Sequence, residues 1–93
     1  MPGPRDGDER FGPLDFGTFL ISLASNVSVH LDPNHKAYNL ALAKQTIDIL
    51  EMLEGKTAGN RSEDEEKLLR GLLYQTRVAY CDAHRAAQQA REA

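Results

Sequence analysis

The sequence predicts an all-α protein of three helices, about 15–31, 39–58 and 62–90, with the last two joined as an αα-hairpin. Three observations carry that reading. Apolar residues recur at three- and four-residue spacing through each segment. Each run opens on a residue of N-cap type: Asp15, Asn39 and Ser62. The breaks between runs are short and hold Pro33 or the Thr57-Ala58-Gly59-Asn60 turn.

At 93 residues the chain is one domain at most. Residues 1–12 hold Pro2, Gly3, Pro4, Gly7 and Gly12 among five charges and are expected to be a disordered tail. Residues 13–90 are expected to form the single helical domain, and 91–93 a frayed end. A domain this small has a small core and gains from outside support. One cysteine, Cys81, supplies neither an intrachain disulfide nor a cysteine-based zinc site, so oligomerisation is the simplest remaining support. A net charge of −3 with mixed signs gives no strong field for nucleic acid or an anionic membrane. The start lacks a basic region followed by an apolar run, and nothing approaches the roughly 20 apolar residues of a membrane span. A soluble cytoplasmic protein is expected.

The first helix should be capped by Asp15, with Leu14 and Phe19 placed for a hydrophobic staple. Phe16, Phe19, Leu20, Leu23, Val27 and Leu31 make one apolar face. The other side carries Thr18, Ser22, Ser25, Asn26 and Ser28, and no charged residue stands between Asp15 and His30. An exposed face normally carries Lys, Glu or Arg. A serine-rich surface is the ordinary reading. The favoured one is a helix covered on both sides, with Thr18, Ser22, Ser25, Asn26 and Val29 as a self-association face.

Asp32-Pro33-Asn34 ends this helix, because Pro33 disfavours helical geometry at Asp32. In the second helix one stripe holds Leu40, Ala43, Ile47 and Leu50. A second, offset stripe holds Leu42, Thr46, Ile49 and Leu53. Lys44, Asp48, Glu51 and Gly55 are left for solvent, so this helix should pack against two neighbours. Gly59 is the expected C-cap. Ser62-Glu63-Asp64-Glu65 forms a capping box whose acids suit the positive end of the helix dipole. Leu68, Leu69, Leu72, Leu73, Thr76, Tyr80, Ala83, Ala87 and Ala90 then share one face. The third helix is long enough to overhang the others. Ala79, Ala83, Ala86 and Ala90 could be a fraying tail of high propensity or a small-residue seam.

Candidate chemistry is sparse. Cys81 and His84 sit one turn apart, which would suit two metal ligands, but a site needs more. The ordinary reading is a half-buried thiol beside a surface histidine. His30, Asp32 and His35 cluster round the Pro33 turn, where capping is the ordinary role. Arg70, Arg77, His84 and Arg91 recur every seven residues, with Arg85 beside them. Such a stripe can track phosphates. It has few charges and no aromatic platform, so pairing with acids such as Asp48 and Glu51 is the expected role. No phosphate loop, catalytic triad or H-E-x-x-H motif occurs.

The phrases QTIDILEML, KTAGN and EEKLLRGLLY, within a stretch from about Asp15 to Tyr80, resemble a bacterial family catalogued as domain of unknown function eighteen-forty-four. The resemblance implies a cytoplasmic all-helical protein and carries no activity. Family members often have Leu after the Gly-Asn pair, where this chain has Arg61, so a hydrophobic staple is not expected at the third helix. Gly55 and Gly71 also depart from the family pattern and should loosen their helices.

The resulting expectation is a self-associating protein-interaction module, most simply a homodimer assembled as a helical bundle. No cofactor, metal site or catalytic residue is assigned. An unidentified protein partner is compatible with this reading, while nucleic acid and membrane are not expected. A nucleic-acid accessory using the basic stripe is the first alternative, and a small metal-binding protein or enzyme the second.

Overall fold

In the computed structural model, residues 15–92 are described, and all their regular structure is helical. Helix α1 spans Phe16–Leu31, α2 spans Leu40–Lys56 and α3 spans Glu63–Glu92. The expected tail at 1–12, Leu14 of the expected staple and Ala93 lie outside the described residues.

The starts of the helices follow from local chemistry. The Asp15 carboxylate accepts from the Thr18 N–H at 2.7 Å, and the Asn39 side chain accepts from the Leu42 N–H at 3.0 Å. At α3 the capping box closes both ways: Glu65 N–H donates to Ser62 Oγ at 3.1 Å, and Ser62 N–H donates to Glu65 Oε1 at 2.8 Å. Each bond satisfies a donor that the first helical turn leaves without an internal partner.

Two ends differ from expectation: α3 continues through Arg91 and Glu92, expected to fray, and α2 ends early. Helix α2 stops at Lys56 with Thr57 as its C-cap, not at Gly59. The Thr57 N–H and hydroxyl both donate to the Leu53 carbonyl, at 2.9 and 2.7 Å, and the next bond of the ladder is missing: the Ala58 N–H turns to the Gly55 carbonyl while the Glu54 carbonyl accepts from Arg61. Gly59 instead makes the turn, at φ +84°, a conformation in which a side chain would be strained.

The three helices pack as a three-helix bundle in which each touches both others. The core has two clusters. Leu20, Leu50, Leu69 and Leu73 form one, with Phe16, Leu23, Leu53, Leu68 and Leu72 packed on it. Val27, Leu31, Ala43 and Ile47 form the other, with Leu40, Tyr80 and Ala83 against it. These pairings set α2 antiparallel to both neighbours, since Leu20 meets Leu50 while Val27 meets Ala43 and Ile47. Close approach of α1 to α3 uses Gly17, where a Cβ would stand 3.3 Å from Leu68 Cδ2. With 30 residues against 16 and 17, α3 is about 45 Å long and exceeds either partner by about 20 Å.

Two core assignments need correction: Leu42, expected in the second packed stripe of α2, is exposed. Phe19, expected on the buried face of α1, is 45% exposed. It lies on the flank of the stripe centred on Leu20 and Val27, outside both core clusters.

Candidate functional site

The link between α1 and α2 consumes the residues that might have held a metal or moved protons. The imidazole Nδ1 of His30 lies 2.8 Å from the Ala37 carbonyl. A carbonyl only accepts, so Nδ1 carries the proton. His35 takes the opposite role: its Nδ1 accepts from the Ala37 N–H at 2.9 Å. Asp32 accepts from the Asn34 N–H at 2.9 Å, an Asx turn that starts the loop at Pro33. Both histidines and the carboxylate therefore shape one turn. Among the described residues, no group of His, Cys, Asp and Glu is placed to hold a metal ion.

Cys81 is exposed, not half-buried, and His84 stacks on Tyr80 with ring centroids 5.7 Å apart. The stacking holds the imidazole to an aromatic neighbour on its own helix. The pair offers no activated nucleophile, which would need a base held within hydrogen-bond reach of the sulfur.

The basic stripe on α3 is engaged along much of its length. Arg70 pairs with Glu66 at 2.8 Å, Arg77 with Glu51 at 3.0 Å and Arg85 with Asp82 at 3.4 Å, while Arg91 hydrogen-bonds Gln88. The Arg77–Glu51 pair ties α3 to α2, the role that sequence spacing suggests for this row. Exposed pairs of this kind contribute little each.

Arg61 does more than fill a turn. Its side chain is only 10% exposed. It donates to the Glu54 carbonyl at 2.7 Å, to Thr57 Oγ1 at 2.9 Å and to Glu66 Oε1 at 2.8 Å. One guanidinium thus satisfies the open end of α2 and holds the first turn of α3. Its hydrogen bond is the largest cause of the Glu66 carboxyl lying below the ordinary glutamate range. A polar clamp stands where a hydrophobic staple would.

The proposed α1 face is laid out as a surface. Thr18, Ser22, Ser25 and Asn26 are exposed and Val29 is half-buried. The Ser22 hydroxyl donates to the Thr18 carbonyl at 3.1 Å, so this hydroxyl does not need water. Phe19 and Ile21 are exposed beside these residues.

Two further features escape the periodicity reading. A groove of about 400 Å³ opens where Leu31, Pro33 and Tyr38 face Ala83, Ala86 and Ala87. On the outer side of α3, Tyr74 is 70% exposed and Val78 43%, next to the exposed Cys81. Their three- and four-residue spacing was present in the sequence, out of phase with the stronger leucine stripe beside it.

Among the described residues, no helix is long and apolar enough to cross a membrane. No curated protein and no solved structure matches the chain. Residues 13–82, most of the chain, match the model of the family described as Domain of unknown function (DUF1844), and the protein belongs to that family.

Proposed function

We propose that this is a cytoplasmic, non-catalytic helical module that works by associating with itself, as a homodimer. The observation that carries the reading is the placement of large apolar side chains on outer surfaces of so small a bundle. Phe19, Ile21, Leu42, Met52, Tyr74 and Val78 are all exposed. Scattered surface apolar residues are ordinary. Here Tyr74 and Val78 stand one turn apart on one face of α3, and Phe19 and Ile21 flank the uncharged stretch of α1 from Phe16 to Val29. Burying such faces against a second copy is what a domain with a small core gains most from. The remaining potentially reactive groups support the same reading, because His30, His35, Asp32 and Arg61 are occupied in shaping turns.

The test is the mass in solution. Sedimentation equilibrium should give twice the 10.3 kDa of the chain at micromolar concentration. A monomer with full helical content by circular dichroism would overturn the proposal.

A further inference from the structure

The outer stripe of α3 is the surface that best identifies its own partner. Gly71, Tyr74, Val78, Cys81 and Arg85 follow one another at spacings of three and four residues, the repeat of a coiled-coil seam. At about 100° per residue, Tyr74, Val78 and Cys81 lie roughly 140° around the helix from the buried Leu69, Leu73 and Thr76. They point away from α1 and α2, which therefore cannot cover them.

We propose that a second copy of this chain covers this stripe, the two α3 helices running antiparallel. The proposal rests on the self-association reading above and names its surface. Position along the helix is the first argument. The stripe from Tyr74 to Cys81 straddles the midpoint of Glu63–Glu92. A two-fold axis there overlaps the two helices along nearly their full length, and the contact closes on itself as an isologous dimer.

Charge is the second argument, and it decides direction. Parallel helices would bring the acidic first turn of one α3, with Glu63 and Asp64, level with the same turn of the other. Lys67 would meet Lys67, and Arg85 would meet Arg85. Antiparallel helices remove every one of these clashes and oppose the helix dipoles favourably. In the register that sets Val78 against the partner's Cys81, Lys67 lies level with the partner's Glu92. Arg85 lies over the ring of the partner's Tyr74, where a cation is attracted. Gly71 comes level with the partner's Gln88. No atom stands within 4 Å of where its Cβ would be, so the absent side chain leaves room for a longer one. Arg70 and Arg77, on one flank of the seam, are neutralised within their own chain by Glu66 and Glu51.

Sedimentation equilibrium on the whole chain from about 1 to 200 μM tests this, with helicity followed in parallel. Val78→Lys, at an exposed site, should leave the helices intact and weaken the dimer by about 30-fold or more, the scale of a central interface residue. Ser22→Lys on α1 should change it less than about threefold, the size of a peripheral effect. Lys67→Glu should weaken the dimer, and adding Glu92→Lys should restore it, because the swap rebuilds the same pair in reverse. A dimer unaffected by Val78→Lys but broken by Ser22→Lys would overturn the α3 seam while leaving self-association standing. Failure of the charge swap to restore binding would overturn the antiparallel register. A wild-type chain monomeric throughout would overturn both readings.

Discussion

The two ends of the bundle are built differently, and the difference separates what holds the monomer together from what it leaves open. At one end Leu20, Leu50, Leu69 and Leu73 are fully buried. Phe16, Leu23, Leu53, Leu68 and Leu72 close over them, and the Arg61 clamp seals the turn. At the other end the core narrows to Val27, Leu31, Ala43 and Ile47. Beyond it α3 continues as an alanine-rich rod beside an open groove. A buried leucine contributes roughly 1.5–3 kcal/mol relative to an exposed one, while alanine offers little area. The leucine end holds most of the buried area, and the alanine end gains more from support along α3. The proposed seam runs along that helix from one end to the other.

Breaking the leucine end should have the largest effect. Leu50→Ala is expected to cost about 3–5 kcal/mol, since it leaves a cavity among packed helices. Ile47→Ala, the matching truncation at the other end, should cost about 2–3 kcal/mol, because the thinner core there can collapse around it. Urea unfolding at one fixed protein concentration reads both, because any dimer adds to apparent stability. Equal costs at the two ends would erase the contrast.

The clamp comes next. Arg61→Ala should destabilise by about 1–2 kcal/mol through its lost bonds to the Glu54 carbonyl and Thr57 hydroxyl. Thermal melts of the variant would check this. Opposite in sign and smaller is Gly55→Ala, expected to stabilise by about 0.5–1 kcal/mol. Gly55 lies within α2 with open space around it, so alanine improves propensity without a clash.

The smallest effect concerns acid. The folded Glu66 carboxyl lies below its ordinary value of 4.5, chiefly through the Arg61 hydrogen bond. Its contribution is therefore complete above about pH 4.5 and is lost as pH falls through the lower folded value. As pH falls below about 4.5, stability should fall less steeply in Arg61→Ala than in the wild type. Matched slopes in pH-dependent unfolding would remove the clamp from the account.

How much of this was legible depended on the range of the interaction. Asp15, Asn39 and the Ser62–Glu65 box act on residues three positions away, so their roles follow from spacing alone. The Lys44–Asp48 pair, at 2.9 Å, is equally local. Phe19 was misplaced because helical periodicity sets which residues share a face and not how wide a strip the neighbours cover. Gly59 looked like the cap because only glycine suits a positive φ, whereas Thr57 had already ended the helix two residues earlier. Arg61 was opaque for another reason: its partners Glu54 and Glu66 lie on different helices and meet only once the hairpin forms. The outer stripe of α3 was written in the sequence, but the leucines on the opposite face dominate the pattern. Exposure was needed to show that Tyr74 and Val78 stand on an outer face of α3.

Cys81 offers the most direct reading of the central claim, since it is the chain's one cysteine and stands on the proposed seam. The rate at which a maleimide reagent modifies this thiol can be measured across the concentration range in which the mass doubles. The account predicts fast modification of the dilute chain and a fall of about tenfold or more as dimer forms, because only the dissociated chain presents the sulfur. A rate that stays constant while the mass doubles would place the dimer contact elsewhere and contradict the seam.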